Sequence, residues 1–204
     1  MANHLFLIRH GKSEWNALGL WTGWTDVSLT EDGLKEARQA GTSLQSFTID
    51  EAYVSNLVRT HQTLAAVQEG YEKEIPFTKH AALNERHYGI YTGKNKWQIK
   101  EQVGEEAFEN IRRGWDVGIP EGETLKVVHD RVVPYYTEVI VPKLRAGKNI
   151  LIVSHGNTLR ALVKHIESIP ESEVPGLEVA TGEIIAYEMT PEGILFRLPL
   201  GRLE

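Results

Sequence analysis

Cysteine is absent from the 204 residues, which excludes disulfides, thiolate metal sites and a cysteine nucleophile together. Long apolar runs are missing too. None approaches the ~20 residues a membrane helix needs, and the start MANHLFLIRH lacks the basic segment and apolar core of a secretory signal. A cytoplasmic protein without a membrane partner is therefore expected. Neither GxxxxGK(S/T) nor GxGxxG occurs, which argues against a nucleotide loop. HExxH and HxH are also absent, and the eight histidines lie scattered at 4, 10, 61, 80, 87, 129, 155 and 165, so no metal site is expected. Positive charge is not in excess either. The net charge is −6, which argues against nucleic acid as the main partner.

What is present suits a soluble α/β protein. Hydrophobic residues make up 41% and charged residues 25%, both ordinary for a globular chain long enough to bury roughly 70% of its unfolded surface. The run Leu5-Phe6-Leu7-Ile8 has the length of one buried strand and stops at Arg9-His10-Gly11, which reads as a central parallel strand. Ligands in open α/β sheets sit beyond the carboxyl ends of strands, so His10 is placed for an anion, with Gly11 turning the backbone amides toward it. The pattern occurs again. Ile150 to Val153 is a second apolar run, closed by Ser154-His155-Gly156 and followed by a helical stripe of Leu159, Leu162, Val163 and Ile166. One histidine after a strand is usually structural, whereas two in matched contexts point to chemistry.

Between these units the periodicities predict a loop or short helix over 12–23 and a helix from Thr30, with Leu34, Ala37, Gly41 and Leu44 on one face. A short strand over 51–55, a helix over 57–67 and a strand over 75–78 follow. Arg59 falls in the first turn of its helix, where the macrodipole disfavours a cation, so a bound anion is expected to hold it there. Helices over 95–103 and 105–115 belong to a segment, about 84–123, that reads as a lid-like insertion within one domain spanning 1–204. A long amphipathic helix is expected over 124–141, kinked at Pro134. A loop with one helical turn fills 168–182, and 183–189 with 194–198 form a hairpin at a sheet edge.

Two strand-end histidines, several arginines and a carboxylate suit phosphoryl transfer through a histidine nucleophile. A neutral imidazole attacks through one nitrogen when the other donates its proton to a fixed acceptor. Arginines and a second histidine then spread the charge of the transferring group. Glu85 is the candidate proton carrier, with an ordinary surface carboxylate as the alternative. Ser13, Asn16, Thr22 and the Gly23 amide offer neutral donors to phosphate or carboxylate oxygens.

RHGKSEWN at 9–16, TGW at 22–24, LNERHYG at 83–89, GKNK at 93–96, RRGW at 112–115 and SHGNTLRALVK at 154–164 resemble the cofactor-dependent phosphoglycerate mutases of the histidine phosphatase superfamily. The likeness runs across nearly the whole chain. It implies a three-layer α/β/α sandwich with a mixed, mostly parallel sheet. His10 would be the phosphorylated residue, Glu85 the proton donor and acceptor, and His155, Arg9 and Arg59 the groups that stabilise the transferring phosphoryl. Ser13, Asn16, Thr22, Gly23, Arg86, Tyr88, Lys96, Arg112, Arg113, Gly156 and Asn157 would hold substrate. The implied reaction interconverts 3-phosphoglycerate and 2-phosphoglycerate, primed by 2,3-bisphosphoglycerate and needing no metal. A phosphatase on the same scaffold and a non-catalytic sensor of phosphorylated metabolites are the competing readings.

Three departures from the resembled pattern carry expectations. Lys12 stands where Glu is usual and is expected to act on the nucleophile or on cofactor affinity. The stretch from Arg113 to Glu121 is short, and whether the chain is a monomer or a homo-oligomer stays open. The sequence also stops soon after its last strand, without the tail of longer members, and less cover is expected to favour hydrolysis.

Overall fold

Alternate residues of two apolar strands supply the two faces of the core. Leu5 and Leu7 of β1 (Asn3–Arg9), with Ile150 and Ile152 of β4 (Ile150–Ser154), pack in one cluster, while Phe6, Ile8, Leu151 and Val153 pack in another. The computed structural model describes residues 3–199. The expectation about the chain's end concerns residues beyond these and lies outside the described residues.

Six strands form one sheet in the order β3-β2-β4-β1-β5-β6, with β2 at Glu51–Val54, β3 at Phe77–Lys79, β5 at Ile184–Met189 and β6 at Leu195–Arg197. The ladders β3-β2, β2-β4 and β4-β1 are parallel, and β1-β5 and β5-β6 are antiparallel, so the sheet is mixed and mostly parallel. One face carries α2 (Glu31–Ser43) and α3 (Val58–Tyr71). The other carries α6 (Leu125–Tyr135), α7 (Val141–Arg145) and α8 (Gly156–Ile166), which completes an α/β/α sandwich. Three further helices lie at the carboxyl ends of the strands or flank them: α1 (Glu14–Ala17), α4 (Lys96–Val103) and α5 (Glu105–Arg113). No helix among the described residues is long and apolar enough to cross a membrane.

Local signals account for most boundaries. Thr30 caps α2 by accepting from the Gly33 amide, and Asn95 caps α4 by accepting from the Trp97 and Gln98 amides. The helix expected over 124–141 differs from the structure. After Pro134, Tyr136–Ile140 widens into a π turn, and α7 continues to Arg145. Pro134 has no N–H for the ladder, and the wider register leaves Pro142 in the first turn of α7, where a missing N–H costs nothing. The edge strand begins at Phe77 rather than Ile75, after Pro76, whose carbonyl accepts from Ala52. Trp21, Ile99 and Phe108 make a third, small core that seats α4 and α5 on the loop preceding Gly23.

The α2–α3 contact depends on two glycines. A Cβ on Gly41 would lie 2.0 Å from the Val67 carbonyl oxygen, and one on Gly70 would lie 2.0 Å from the Arg38 carbonyl oxygen. Neither backbone can withdraw without parting the helices. Gly41→Ala is expected to cost about 2 kcal/mol in chemical denaturation, and an unchanged midpoint would show that this interface is loosely packed.

Candidate active site

The β1–β4 register sets Arg9 opposite Ser154, so the residues that follow, His10 and His155, leave neighbouring strands at the same level. Their rings lie 5.0 Å apart at 64°. His10 Nδ1 and the Gly11 carbonyl oxygen are 2.7 Å apart, which places the ring proton on Nδ1 and leaves the Nε2 lone pair free. Burial, then Arg59 and Arg9, hold His10 well below the usual histidine range, so the ring is neutral at pH 7. Lys12 is not among the groups that shift it. The Gly11 amide does not face the ligand side as expected, because it donates to Thr63 Oγ1 at 3.2 Å. Gly11 is needed for a close approach instead: a Cβ there would lie 2.1 Å from the Gly33 carbonyl oxygen.

His155 occupies the position just before α8, without a side-chain bond to the helix amides, and is fully buried. Its Nε2 lies 2.8 Å from Ser55 Oγ, which in turn lies 2.9 Å from Thr60 Oγ1. Thr60 donates its proton to the Leu57 carbonyl, so Ser55 donates to Thr60 and accepts from His155 Nε2–H. That chain orients the ring and leaves Nδ1 without a partner among the described residues. Burial, Arg59 and His10 lower this histidine also.

Glu85 is held from several sides. Its carbonyl accepts from Trp24 Nε1 and Arg131 Nη2, and its Oε1 accepts from the amides of Arg86 and Asn157. Oε2 makes no hydrogen bond among the described residues. Tyr88 accepts from Asn157 Nδ2 at 2.7 Å, and burial beside Glu85 pushes it up to about 12, so its hydroxyl keeps a proton to donate.

These groups surround two adjoining compartments. The inner one, about 50 Å³, is lined by Arg9, His10, Asn16, Thr22, Arg59, Glu85, Tyr88 and Lys96. The outer one, about 100 Å³, shares Arg9, Glu85, Tyr88 and Lys96 and adds Arg112, Arg113, Gly156, Asn157 and Arg160. A larger hollow of about 630 Å³ between α2 and the β5–β6 edge has, among the described residues, Arg197 as its one cation and no histidine, so size does not mark the site. Among the described residues, seven buried side-chain nitrogen or oxygen atoms lack a partner, and five belong to Arg9, Trp21, Thr22, Arg59 and His155 around this cleft. Unpaired buried polar groups are costly; those of Arg9, Trp21, Thr22 and Arg59 carry protons that suit an oxygen-rich anion, whereas His155 Nδ1 is the bare ring nitrogen and needs a proton before it can donate.

Residues 5–199 match the histidine phosphatase superfamily (branch 1). The chain belongs to that superfamily. It is 42% identical to a 2,3-bisphosphoglycerate-dependent phosphoglycerate mutase of Parvibaculum lavamentivorans, over 97% of this chain and 95% of the relative. A protein of the same name from Methylobacterium radiotolerans is 42% identical over 94% and 92%. Bacillus stearothermophilus YhfR superposes with a TM-score of 0.86 at 26% identity, covering 100% and 98% of the two chains. The alpha-ribazole phosphatase of Shigella flexneri gives 0.80 at 25% identity, covering 96% and 95%.

In this member of the superfamily the structure gathers most of the residues singled out from the sequence, but Ser13, Gly23, Arg86 and His155 line neither compartment, His155 lying behind His10 with its ring 5.0 Å away. Ser13 forms a capping box with Asn16, which leaves the Asn16 Nδ2 group for the inner compartment. The Gly23 carbonyl accepts from Arg59 Nη2 at 2.7 Å. Arg86 is wholly buried, and its fork donates to the carbonyls of Glu123, Ile111 and Val117. Arg59 likewise needs no anion to keep its place, because Gly23 and Thr25 carbonyls hold it and only Nε is unpaired. Sequence reading missed Trp21, Glu178 and Val179 in the cleft wall and Ser55 behind His155. Ser55 and Asn56 were legible as a helix entrance, but the tie to His155 depends on a pairing across 100 residues.

Lys96 is the one lysine in both compartments, and burial, then Arg112 and Arg9, lower it to about 8 from 10.5. The unfolded chain keeps this proton up to about 10.5 and the folded chain loses it near 8, so between those values the unfolded state binds more protons and stability rises with pH. Any anion held by the charged lysine is expected to run the other way and weaken as pH rises through about 8. Lys96→Met is expected to raise the melting temperature at pH 7, weaken inorganic phosphate binding roughly ten- to hundredfold and abolish that pH step. Calorimetric titration across pH 6–10 checks it, and a step that survives in the variant would assign the titration to another group.

Proposed function

We propose that this chain is a 2,3-bisphosphoglycerate-dependent phosphoglycerate mutase that interconverts 3-phosphoglycerate and 2-phosphoglycerate. The observation that carries the reading is the pair of connected compartments: a nucleophile-bearing inner one and a cation-rich outer one suit two anionic groups on one small molecule. The name borne by relatives at 42% identity supports the same reaction. The cytoplasm, where small phosphorylated metabolites are held, is the place we assign to it.

His10 Nε2 attacks phosphorus while Gly11 holds the Nδ1 proton. A P–O bond breaks as the N–P bond forms, and Glu85 Oε2 gives a proton to the leaving oxygen. In the reverse transfer Glu85 takes the proton from the accepting hydroxyl as the phosphoryl group leaves His10. Arg9, Arg59 and His155 spread the charge of the equatorial oxygens, and a dianion beside His155 raises its proton affinity again. Asn16, Thr22, Tyr88, Lys96, Arg112, Arg113, Gly156 and Asn157 hold phosphate and carboxylate. Bound 2,3-bisphosphoglycerate supplies the phosphoryl group that first charges His10. The segment 84–123 acts as the lid, because Tyr88, Lys96, Arg112 and Arg113 all reach the cleft from it. Ser13, Gly23 and Arg86 serve by placing Asn16, Arg59 and that lid.

The second reading, hydrolysis, draws on the alpha-ribazole phosphatase likeness. Product partitioning separates the two: 3-phosphoglycerate with a trace of 2,3-bisphosphoglycerate is expected to give primer-dependent 2-phosphoglycerate with little inorganic phosphate. Mostly inorganic phosphate would make the protein a phosphatase. Single variants test the roles. His10→Ala is expected to lose at least about a thousandfold in kcat while still binding phosphate. Glu85→Gln is expected to lower kcat by about a hundred- to ten-thousandfold with KM changed severalfold at most, and an unchanged kcat would remove Glu85 from the proton path.

A further inference from the structure

The strap from Leu177 to Val179 crosses the wall of the outer compartment and is tied by three arginines. Arg160 Nε donates to the Leu177 carbonyl at 2.8 Å, and Arg9 Nη1 donates to the Val179 carbonyl at 2.7 Å. Between them, Glu178 Oε1 accepts from Arg113 Nη2 at 3.0 Å. Among the described residues, Glu178 and Glu85 are the two carboxylates that line this compartment.

The ion pair does little for the fold. Glu178's side chain is 68% exposed, and exposed pairs contribute little, while Arg9 and Arg160 already hold the backbone on either side. Arg113 is also shared with Glu109, 3.4 Å away within α5. What Glu178 changes is the availability of a cation: its carboxylate lies on the guanidinium that the outer compartment presents to a second anionic group.

We propose that Glu178 is a specificity-determining residue, an internal carboxylate that competes with the ligand's second anionic group for Arg113. The inference rests on the two-anion reading of the cleft and adds a carboxylate that loosens it. A charged His10 that gives its phosphoryl group to the free hydroxyl of a monophosphorylated three-carbon acid, and is then recharged from the neighbouring oxygen, requires the doubly phosphorylated intermediate to turn around inside the site. A cleft offering only cations would hold that intermediate at both ends. Glu178 takes over Arg113 as the ligand lets go, so the guanidinium keeps a partner throughout and the outer grip is released before the inner one.

The test is calorimetric titration of wild type, Glu178→Gln, Arg113→Ala and the double variant, with inorganic phosphate as a one-anion probe and 3-phosphoglycerate as a two-anion probe. Glu178→Gln is expected to tighten 3-phosphoglycerate roughly two- to tenfold and to leave phosphate unchanged. In the Arg113→Ala background the same substitution is expected to have no effect. Equal tightening of both probes, no tightening, or tightening that persists without Arg113 would each overturn the proposal. Matching thermal melts of wild type and Glu178→Gln exclude a folding effect. If primed wild type binds 3-phosphoglycerate but does not isomerise it, the mutase reading falls, and selective tightening through Arg113 still upholds Glu178.

Discussion

The site depends on one pairing register. Because β1 and β4 run parallel with Arg9 opposite Ser154, the turns that follow release two imidazoles at one level, 5.0 Å apart. A slip of one residue would reverse the faces of Leu5 to Ile8 and remove both core clusters at once, so the packing that stabilises the sheet also sets the spacing of the histidines. The hydrogen bond from the His10 amide to the Ser154 carbonyl, 2.9 Å, carries the ladder one residue past the strand and ties the His10 backbone to the strand that leads to the second histidine.

Around that pair the protein accepts an unfavourable arrangement. Arg59, Arg86 and Arg160 are almost fully buried, and burial lowers the proton affinity of all three. Their desolvation is offset by carbonyl oxygens from loops distant in sequence, so each charge also fixes the course of a chain segment. Lys96 has little of this compensation and loses its proton more readily. The buried donors without a partner among the described residues, on Arg9, Trp21, Thr22 and Arg59, contribute no such compensation to the fold and suit a ligand's oxygens.

Much of this was legible in sequence because strand, histidine, glycine and helix leave local signatures. The apolar runs at 5–8 and 150–153 gave the two strands, and Thr30 and Thr124 marked helix starts that the structure caps, while Asn95, read as a first helical residue, turns out to be a cap. What was not legible is the spending of donors. An arginine beside a glutamate in LNERHYG has the same letters whether its fork meets a substrate or three backbone carbonyls, and for Arg86 the loops decide. Glu178 and Ser55 were overlooked for the same reason, since their partners lie 65 and 100 residues away. The π turn after Pro134 needed knowledge that the helix resumes, which a proline in the pattern hides.

The Arg86 fork has a consequence for how such a protein diversifies. Its three donors reach Ile111, Val117 and Glu123, which lie at the start, middle and end of one surface excursion. The neighbouring residue is Glu85, the proposed proton carrier, so the excursion is anchored beside it. Residues inserted or deleted between those anchors extend or shorten a loop whose ends are pinned to one guanidinium, and the carboxylate next door does not register the change. The stretch between the anchors can therefore change in length without touching the amides of Arg86 and Asn157 that hold the Glu85 carboxylate.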